Sequence, residues 1–522
     1  MVCGQVPAAR AFCGGLRRAG ILEDILKKRL FGVIFLLLAG VIFLTACNRD
    51  DAMSFSTEEL LYDFDYMMAL MEETFPHFGV AERRGIDIRA LAAQTRQTIA
   101  NYPSSMAHVA AEFGIAPGDM PPMDANVFWS IVQNEFFSQV APLGNIMLLD
   151  YAQRAALRDF YVVPGIITGL DSMQRLLVTF EGEDPPPFNE IETTGEGLPL
   201  FQHNWDVFDE SSAVTLYAAQ RAFSERAYEE NPALYRFIFR REPIREEPPE
   251  VFTTERIDGR IAYINFNTFR VLNFRHYSWR IDRFFMYTQD YDHLIIDIRD
   301  NVGGRNDFWR MLIMFTLWNE AERPKPEVPL YAFFRNTEQA YELGQAHIST
   351  ERFATRFVPA ANAPMPLSAI LAHNEMPALN AQDMSTLATG VRLDGSINYL
   401  SQSQLHFTQE RMWIPRARFP FEGQIWLLTS ENNVEAAAAF AYNAKYTGFA
   451  TLVGEAPGGG FTSTVMTHFN LPNTGLIVRW DIDYLTDAYG RSLEEFSVQP
   501  HYANRPGMDA LETVLEIIEE RG

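Results

Sequence analysis

The stretch Gln424–Phe440, QIWLLTSENNVEAAAAF, decides the fold. Gln424–Leu428 is an apolar, strand-like run. Asn432 and Asn433 are helix N-cap types, and the alanine-rich run that follows continues to Gly448, a suitable helix stop. Ala450–Gly454 then reads as another strand. A strand feeding directly into a helix N-terminus brings free N–H groups and the positive end of the helix dipole to one point. Enzymes present a serine or bind an anion at such points. Here the exposed position carries Glu435.

The same alternation extends outward. Gly259–Phe266 reads as a strand and Ser278–Thr288 as a helix. His293–Ile298 reads as an apolar strand ending in a glycine turn, followed by a helix over Asp307–Trp318. Tyr331–Glu410 is a long excursion of mixed character. Strands alternating with helices imply a largely parallel sheet covered on both faces, hence an α/β fold. Upstream, Ser56-Thr57-Glu58-Glu59 offers a capped helix start, and Leu60, Leu61, Phe64, Met67, Met68 and Met71 recur at helical spacing. Further helices are predicted over Ile88–Asn101, Val127–Val140 (amphipathic) and Val214–Tyr228, and strands over Phe160–Ile167 and Leu176–Phe180. Arg241–Glu250 is charged and proline-rich, a linker by composition. The expected partition is a signal segment over 1–46, a small helical domain over 47–150 and a mixed connecting region over 151–252. The α/β domain follows over 253–522, with an insertion at 330–415.

The chain has 522 residues, 47% of them apolar and forty of them Phe, enough for a large core. Lys27, Lys28 and Arg29 precede an apolar run over Leu30–Thr45 that ends in Leu44-Thr45-Ala46-Cys47. A basic region, a short apolar region and small residues before a cleavage point make a secretory signal. LTAC resembles a bacterial lipobox, which implies lipidation of Cys47 and an extracytoplasmic protein anchored to the membrane. Cys3 and Cys13 precede that point, so the mature protein can form neither a disulfide framework nor a cysteine metal site. Removing the six cations and two acids ahead of Cys47 takes the formal charge from −24 to −28. Such acidity argues against nucleic acid and anionic lipid as partners. No histidine spacing suits zinc, and nothing points to a metal or another cofactor.

Four segments together resemble the tail-specific (C-terminal processing) serine peptidase family. They are Arg260–Asn267 (RIAYINFN), Asp297–Gly304 (DIRDNVGG), Leu452–Glu455 with the glycines to Gly460, and Leu471-Pro472 followed by Gly490–Glu494 and Val498–Pro500. Ser54–Asp87, with Thr74–Phe78 (TFPHF), is similar to the N-terminal helices of the family's bacterial lipoproteins. The resemblance implies a crotonase/Clp-protease-like core behind a small N-terminal helical domain, with a peptide or protein ligand. On the residues alone, Asp297 ends a buried strand, where open α/β sheets place ligands. Gly303 and Gly304 let the backbone turn its N–H groups toward a ligand. The family's turn supplies an oxyanion-hole amide here, and the resemblance extends ligand contact to Arg299, Asn301, Gly458 and Gly459. Gly458-Gly459-Gly460 is no phosphate loop, because no Lys-Ser/Thr follows.

The departures fall on the chemistry. Matching through Ala441 and Gly454 puts Glu435 in the place of the family's nucleophilic serine, and Ala438 in that of the motif's glutamate. A carboxylate there would compete with an oxyanion for the same amides. The lysine base of one family version falls on Gly460, and neither mature lysine, Lys325 or Lys445, fits. The histidine base of the other version falls on Gly144, in Pro142-Leu-Gly-Asn145, while Glu494, which would orient it, is retained. Ser430, or Ser463, would have to serve in a displaced active site. Three readings follow: a surface lipoprotein with this fold and an impaired site that binds peptides or protein C-termini; an active serine endopeptidase using Ser430; or an acid/base hydrolase pairing Glu435 with Glu494 or Asp297.

Overall fold

The computed structural model describes residues 54–141, 143–155, 211–240, 251–257, 259–270, 274–304, 306, 308–318, 328–349, 358–359, 365–394, 419–459 and 466–521. The predicted strands over Phe160–Ile167 and Leu176–Phe180, the linker Arg241–Glu250, and Cys47, Lys325, Gly460 and Ser463 lie outside them.

Helix α1 (Thr57–Thr74) opens with a complete capping box, in which Ser56 and Glu59 satisfy each other's backbone N–H groups. Helix α2 (Phe78–Arg83) and helix α3 (Ile88–Ala100) follow, the latter capped by Asp87. Helix α4 (Ala125–Ile131) runs on through a π-helical turn at Val132–Phe137 to Val140. The expected amphipathic pattern fails in α4, all seven of whose residues are buried, and holds beyond it, where Ser138 and Gln139 are exposed while Phe136, Phe137 and Val140 are buried. Its outer face is covered by α6 (Pro232–Phe239), which follows α5 (Ser211–Glu230).

A hairpin of β2 (Phe252–Ile257) and β3 (Ile261–Phe266) begins the main sheet, β1 being a two-residue strand at Met147–Leu148. Helix α7 (Phe274–Thr288) leads to β4 (His293–Asp297). The long excursion is partly ordered. Its strands β5 (Pro329–Arg335), β6 (Val358–Pro359), β7 (Met365–Pro366) and β8 (Leu387–Asp394) form an antiparallel sheet. The chain then returns through β9 (Gln424–Thr429), α8 (Glu435–Tyr446) and β10 (Thr451–Gly454). Strands β11 (Met466–Asn470) and β12 (Ile477–Asp481) form a sheet with β1, and β13 (Asp483–Asp487) joins β5. Strand β14 (Tyr502–Ala503) and α9 (Ala510–Arg521) end the fold.

The main sheet has the order β14-β10-β9-β4-β3-β2, parallel except for β2. Ile295, Trp426, Leu428 and Val453 pack on one face against Val514, Ile517 and Ile518 of α9. Against the other face, α8 buries Ala436 to Ala439, Ala441 and Ala444, small residues that let the helix lie close to the strands. This is the mainly parallel α/β core implied by the sequence, with helices ahead of it. Among the described residues no helix is long and apolar enough to cross a membrane.

The N-terminal helices are bound into the same compact unit, Phe55–Gly522. Buried Asp63 of α1 accepts from the Asn473 and Thr474 amides, both at 2.8 Å. Trp480 of β12 donates to Thr74 Oγ1 at 2.9 Å.

Candidate functional site

The site forms where β4 and β9 end. Asn433, expected as a cap, is instead a fully buried staple. Its amide donates to the carbonyls of Ile298 and of Asn301 (3.1 Å) and accepts from the Ser430 amide (2.9 Å). The N-cap is Val434, which offers no side-chain acceptor. This ties the turn after β4 to the turn after β9.

Glu435 follows as the first residue of α8, with φ at +50°. A left-handed backbone costs a side-chain-bearing residue about 1–2 kcal/mol, and such outliers persist only where the surroundings impose them. The surroundings here are the glycine turn. A Cβ placed on Gly303 would lie 2.7 Å from Glu435 Cβ and 3.0 Å from Glu435 Oε2. One placed on Gly304 would collide with the Arg270 amide. Both glycines have positive φ, so the turn has room for no side chain. Arg270, largely exposed, places Nη2 3.9 Å from Glu435 Oε2. The carboxylate thus lies between the glycine turn and a guanidinium. Nor is the Gly303 amide free, since it donates to Asn301 Oδ1 at 2.9 Å.

Ser430 does not face this point. Its hydroxyl donates to the Arg299 carbonyl (2.5 Å) and accepts from the Asn432 amide (3.1 Å). Asp297 is almost wholly buried and spent inside the protein. Arg299 Nη2 lies 2.7 Å from its Oδ2, and the Tyr263 hydroxyl donates to the same oxygen at 2.9 Å. Arg299 also reaches Asp509 at 2.9 Å, pinning the start of α9. Asn301 holds the Phe266 carbonyl at 3.0 Å. These three residues build the sheet end rather than project from it. Gly458 donates to the Asn433 carbonyl at 2.9 Å, and Gly459 bridges to Val434, so both border the helix tip.

Glu494 lies on the far side of Gly459, where a Cβ added to the glycine would be 3.4 Å from the Glu494 carbonyl. Its side chain is buried, and burial pushes the carboxyl up to about 8, with Asp481 adding to the rise. Arg84, donating to Oε1 at 3.2 Å, and the Gly144 amide oppose the rise. Arg84 also donates to the Glu494 carbonyl at 2.5 Å, while neighbouring Arg83 grips Glu495 at 2.7 Å and Asp383 at 2.6 Å. Glu494 therefore has a guanidinium partner where the resemblance implied an imidazole.

A histidine does reach this place, from a position without a motif to mark it. Gly144 has φ at +57°, and a Cβ on it would lie 2.9 Å from His77 Cδ2 and collide with the Phe75 ring. His77 is fully buried and stacks on Tyr484, with ring centroids 5.5 Å apart. Burial, followed by the positive charge of Arg84, pushes its imidazole down to about 3, so it stays neutral. Its only signal in the sequence is TFPHF, Thr74–Phe78, which carries no catalytic spacing. Lys445 extends from α8 and donates to the Gln499 carbonyl at 2.5 Å. No group of three or more potential metal ligands occurs among the described residues.

Residues 260–503 match the family model for peptidase family S41. The α/β region over residues 260–503 belongs to peptidase family S41. That is the family whose motifs the sequence resembles, and the match runs from β3 to the end of β14. No functionally curated protein matches the chain. Among solved structures, a Parabacteroides merdae protein given as a peptidase is 16% identical, with a TM-score of 0.32, over 52% of this chain and 65% of that one. The photosystem II D1 C-terminal processing protease is 14% identical, with a TM-score of 0.28, over 51% of each protein. A lipoprotein from Streptococcus agalactiae is 14% identical, with a TM-score of 0.33, over 62% of this chain and 92% of that one. This chain thus spans less than two thirds of the first two proteins, and nothing about its activity follows from such partial likenesses.

Proposed function

We propose that this S41 protein is a catalytically impaired member of its family that binds peptides or protein C-termini at the tip of α8. On the same reading it is an extracytoplasmic lipoprotein held to the membrane through Cys47. One observation carries the proposal: Glu435 occupies the helix tip, seated against Gly303, with its carboxylate toward Arg270. A fixed negative charge there opposes the build-up of an oxyanion. The occupied hydroxyl of Ser430 and the engaged amide of Gly303 support the same reading. So does the Arg84–Glu494 pair, with no basic side chain matched to a nucleophile among the described residues. Arg270, exposed beside the tip, is the group suited to a peptide carboxylate.

Fluorescence polarisation with the full protein tests this. Peptides with a free C-terminus are expected to bind, and Arg270→Glu to weaken them by about tenfold, which corresponds to 1.4 kcal/mol. C-terminally amidated versions should be insensitive to the change. Equal binding of free and amidated peptides by both proteins would remove the assignment of the carboxylate to Arg270. Peptidase activity abolished by Ser430→Ala would remove the impaired reading altogether.

A further inference from the structure

A second feature lies at the opposite edge of the main sheet, on β2 and α7. Arg256, Arg280 and Arg283 surround an open groove of about 320 Å³ together with Thr254, Trp279 and Tyr287. Trp279 is 57% exposed and Tyr287 54%, large values for aromatic rings in a folded protein. The guanidiniums are held by rings: Arg280 lies 4.8 Å from the Phe252 ring, and Arg283 and Arg256 lie 5.6 and 5.9 Å from that of Tyr287. None of the three arginines has an ion-pair partner among the described residues. Three uncompensated cations in one groove stand out in a protein of formal charge −24. The nearby acids do not offset them. Glu255 points to the other face of the sheet by strand alternation, and Asp282 is half-buried, with its carboxyl pushed up to about 7 by that burial.

The groove borders a free strand edge. β2 ends the sheet order, and no described strand pairs with its outer side. The Asn267 amide donates to the Val251 carbonyl at 3.1 Å, which sets the phase of the β2–β3 ladder. In an antiparallel ladder of that phase, the N–H and C=O groups of residues 252, 254 and 256 point away from β3. Open edges of this kind accept an added strand.

We propose that this edge is a docking site for an extended acidic peptide segment of a partner protein, which adds a strand to β2 and places its carboxylates among Arg256, Arg280 and Arg283. Charge complementarity selects the occupant. A small inorganic anion would satisfy the guanidiniums but leave the backbone edge and the faces of Trp279 and Tyr287 unused, whereas an acidic strand with one apolar residue uses all three. The site is separate from the tip of α8.

The test is fluorescence polarisation of a labelled nine-residue Glu/Asp-rich peptide against the full protein, beside uncharged and Lys-rich peptides of equal length. The acidic peptide alone should bind. The R280E/R283E double variant should weaken it at least tenfold, while binding of C-terminal peptides that depends on Arg270 stays unchanged. T254P removes an outward-pointing N–H at an edge position where proline is tolerated, and it should weaken binding while leaving the melting temperature in place. Binding that neither variant alters overturns the proposal. So does displacement of the peptide by millimolar inorganic phosphate at matched ionic strength, which would mark a small-anion site. Binding to vesicles of 30% anionic lipid that R280E/R283E abolishes, with no binding of the acidic peptide, would assign the patch to a membrane instead.

Discussion

Two acids mark the candidate site, and their settings are opposite. Glu435 is partly exposed, holds a left-handed backbone at a helix tip and faces a guanidinium 3.9 Å away. Glu494 is buried, and its carboxyl is pushed up to about 8 despite contact with Arg84. At the first acid the turn enforces the backbone and the side chain is the anomaly. At the second the side chain is the one the family resemblance calls for and the partner has changed. On the proposed reading, the S41 frame survives as geometry at both points while the groups that would do serine chemistry are exchanged. Backbone shape and chemical competence are separate properties of one fold.

The largest expected effect comes from placing a histidine at Gly144, where the resemblance puts the family's base. A side chain at Gly144 must displace the Phe75 ring and adopt a φ of +57°. Gly144→His should cost about 3 kcal/mol or more in stability, as overpacking and backbone strain add. Chemical denaturation would show it. A stable Gly144→His protein would mean that the space beside His77 is larger than described, and that the two acids are less different than they look.

Glu494 gives the next effect, through pH. Its native carboxyl ionises near 8 and its unfolded carboxyl near 4.5, so between those values the unfolded state has released a proton that the native state keeps. Stability should therefore be fully present below about pH 4.5 and fall by up to about 1.4 kcal/mol per pH unit as pH rises toward 8. Glu494→Gln, which keeps the neutral form, should raise the melting temperature at pH 8 and flatten this slope. A slope unchanged by the substitution would place the ionised form of Glu494 in the native state. His77 works in the opposite direction, its depressed imidazole losing stability as pH falls from 6.5 toward 3.

Glu435 gives the smallest effect. Its φ of +50° suits glycine, so Glu435→Gly should be more stable than Glu435→Ala by about 1 kcal/mol. Equal stabilities would mean that the left-handed turn relaxes once the carboxylate is gone, leaving Gly303 with no role in imposing it.

The strand–helix–strand around Glu435 is legible in the sequence because its period, its alanines and Gly448 agree. β9, α8 and β10 begin and end close to the expected residues. The capping role expected of Asn433 fails, since its side chain satisfies carbonyls of another turn, 132 and 135 residues away, and composition says nothing of such distances. Strand β2 is hidden by its polar TTER, an edge-strand pattern that looks like linker. The sheet inside the 330–415 excursion is hidden because its outer strand, β13, comes from residues 483–487. His77 is hidden for the same reason: its neighbours Gly144 and Tyr484 meet it only in the folded protein.

On the proposed reading, the S41 frame no longer supports serine chemistry. The most direct measurement is the intact mass of the full protein after treatment with a fluorophosphonate, alone and as Glu435→Ser. No adduct is expected on either protein, because replacing the nucleophile restores neither a base nor a free Gly303 amide. A stoichiometric adduct on the unaltered protein, lost in Ser430→Ala, would contradict this reading.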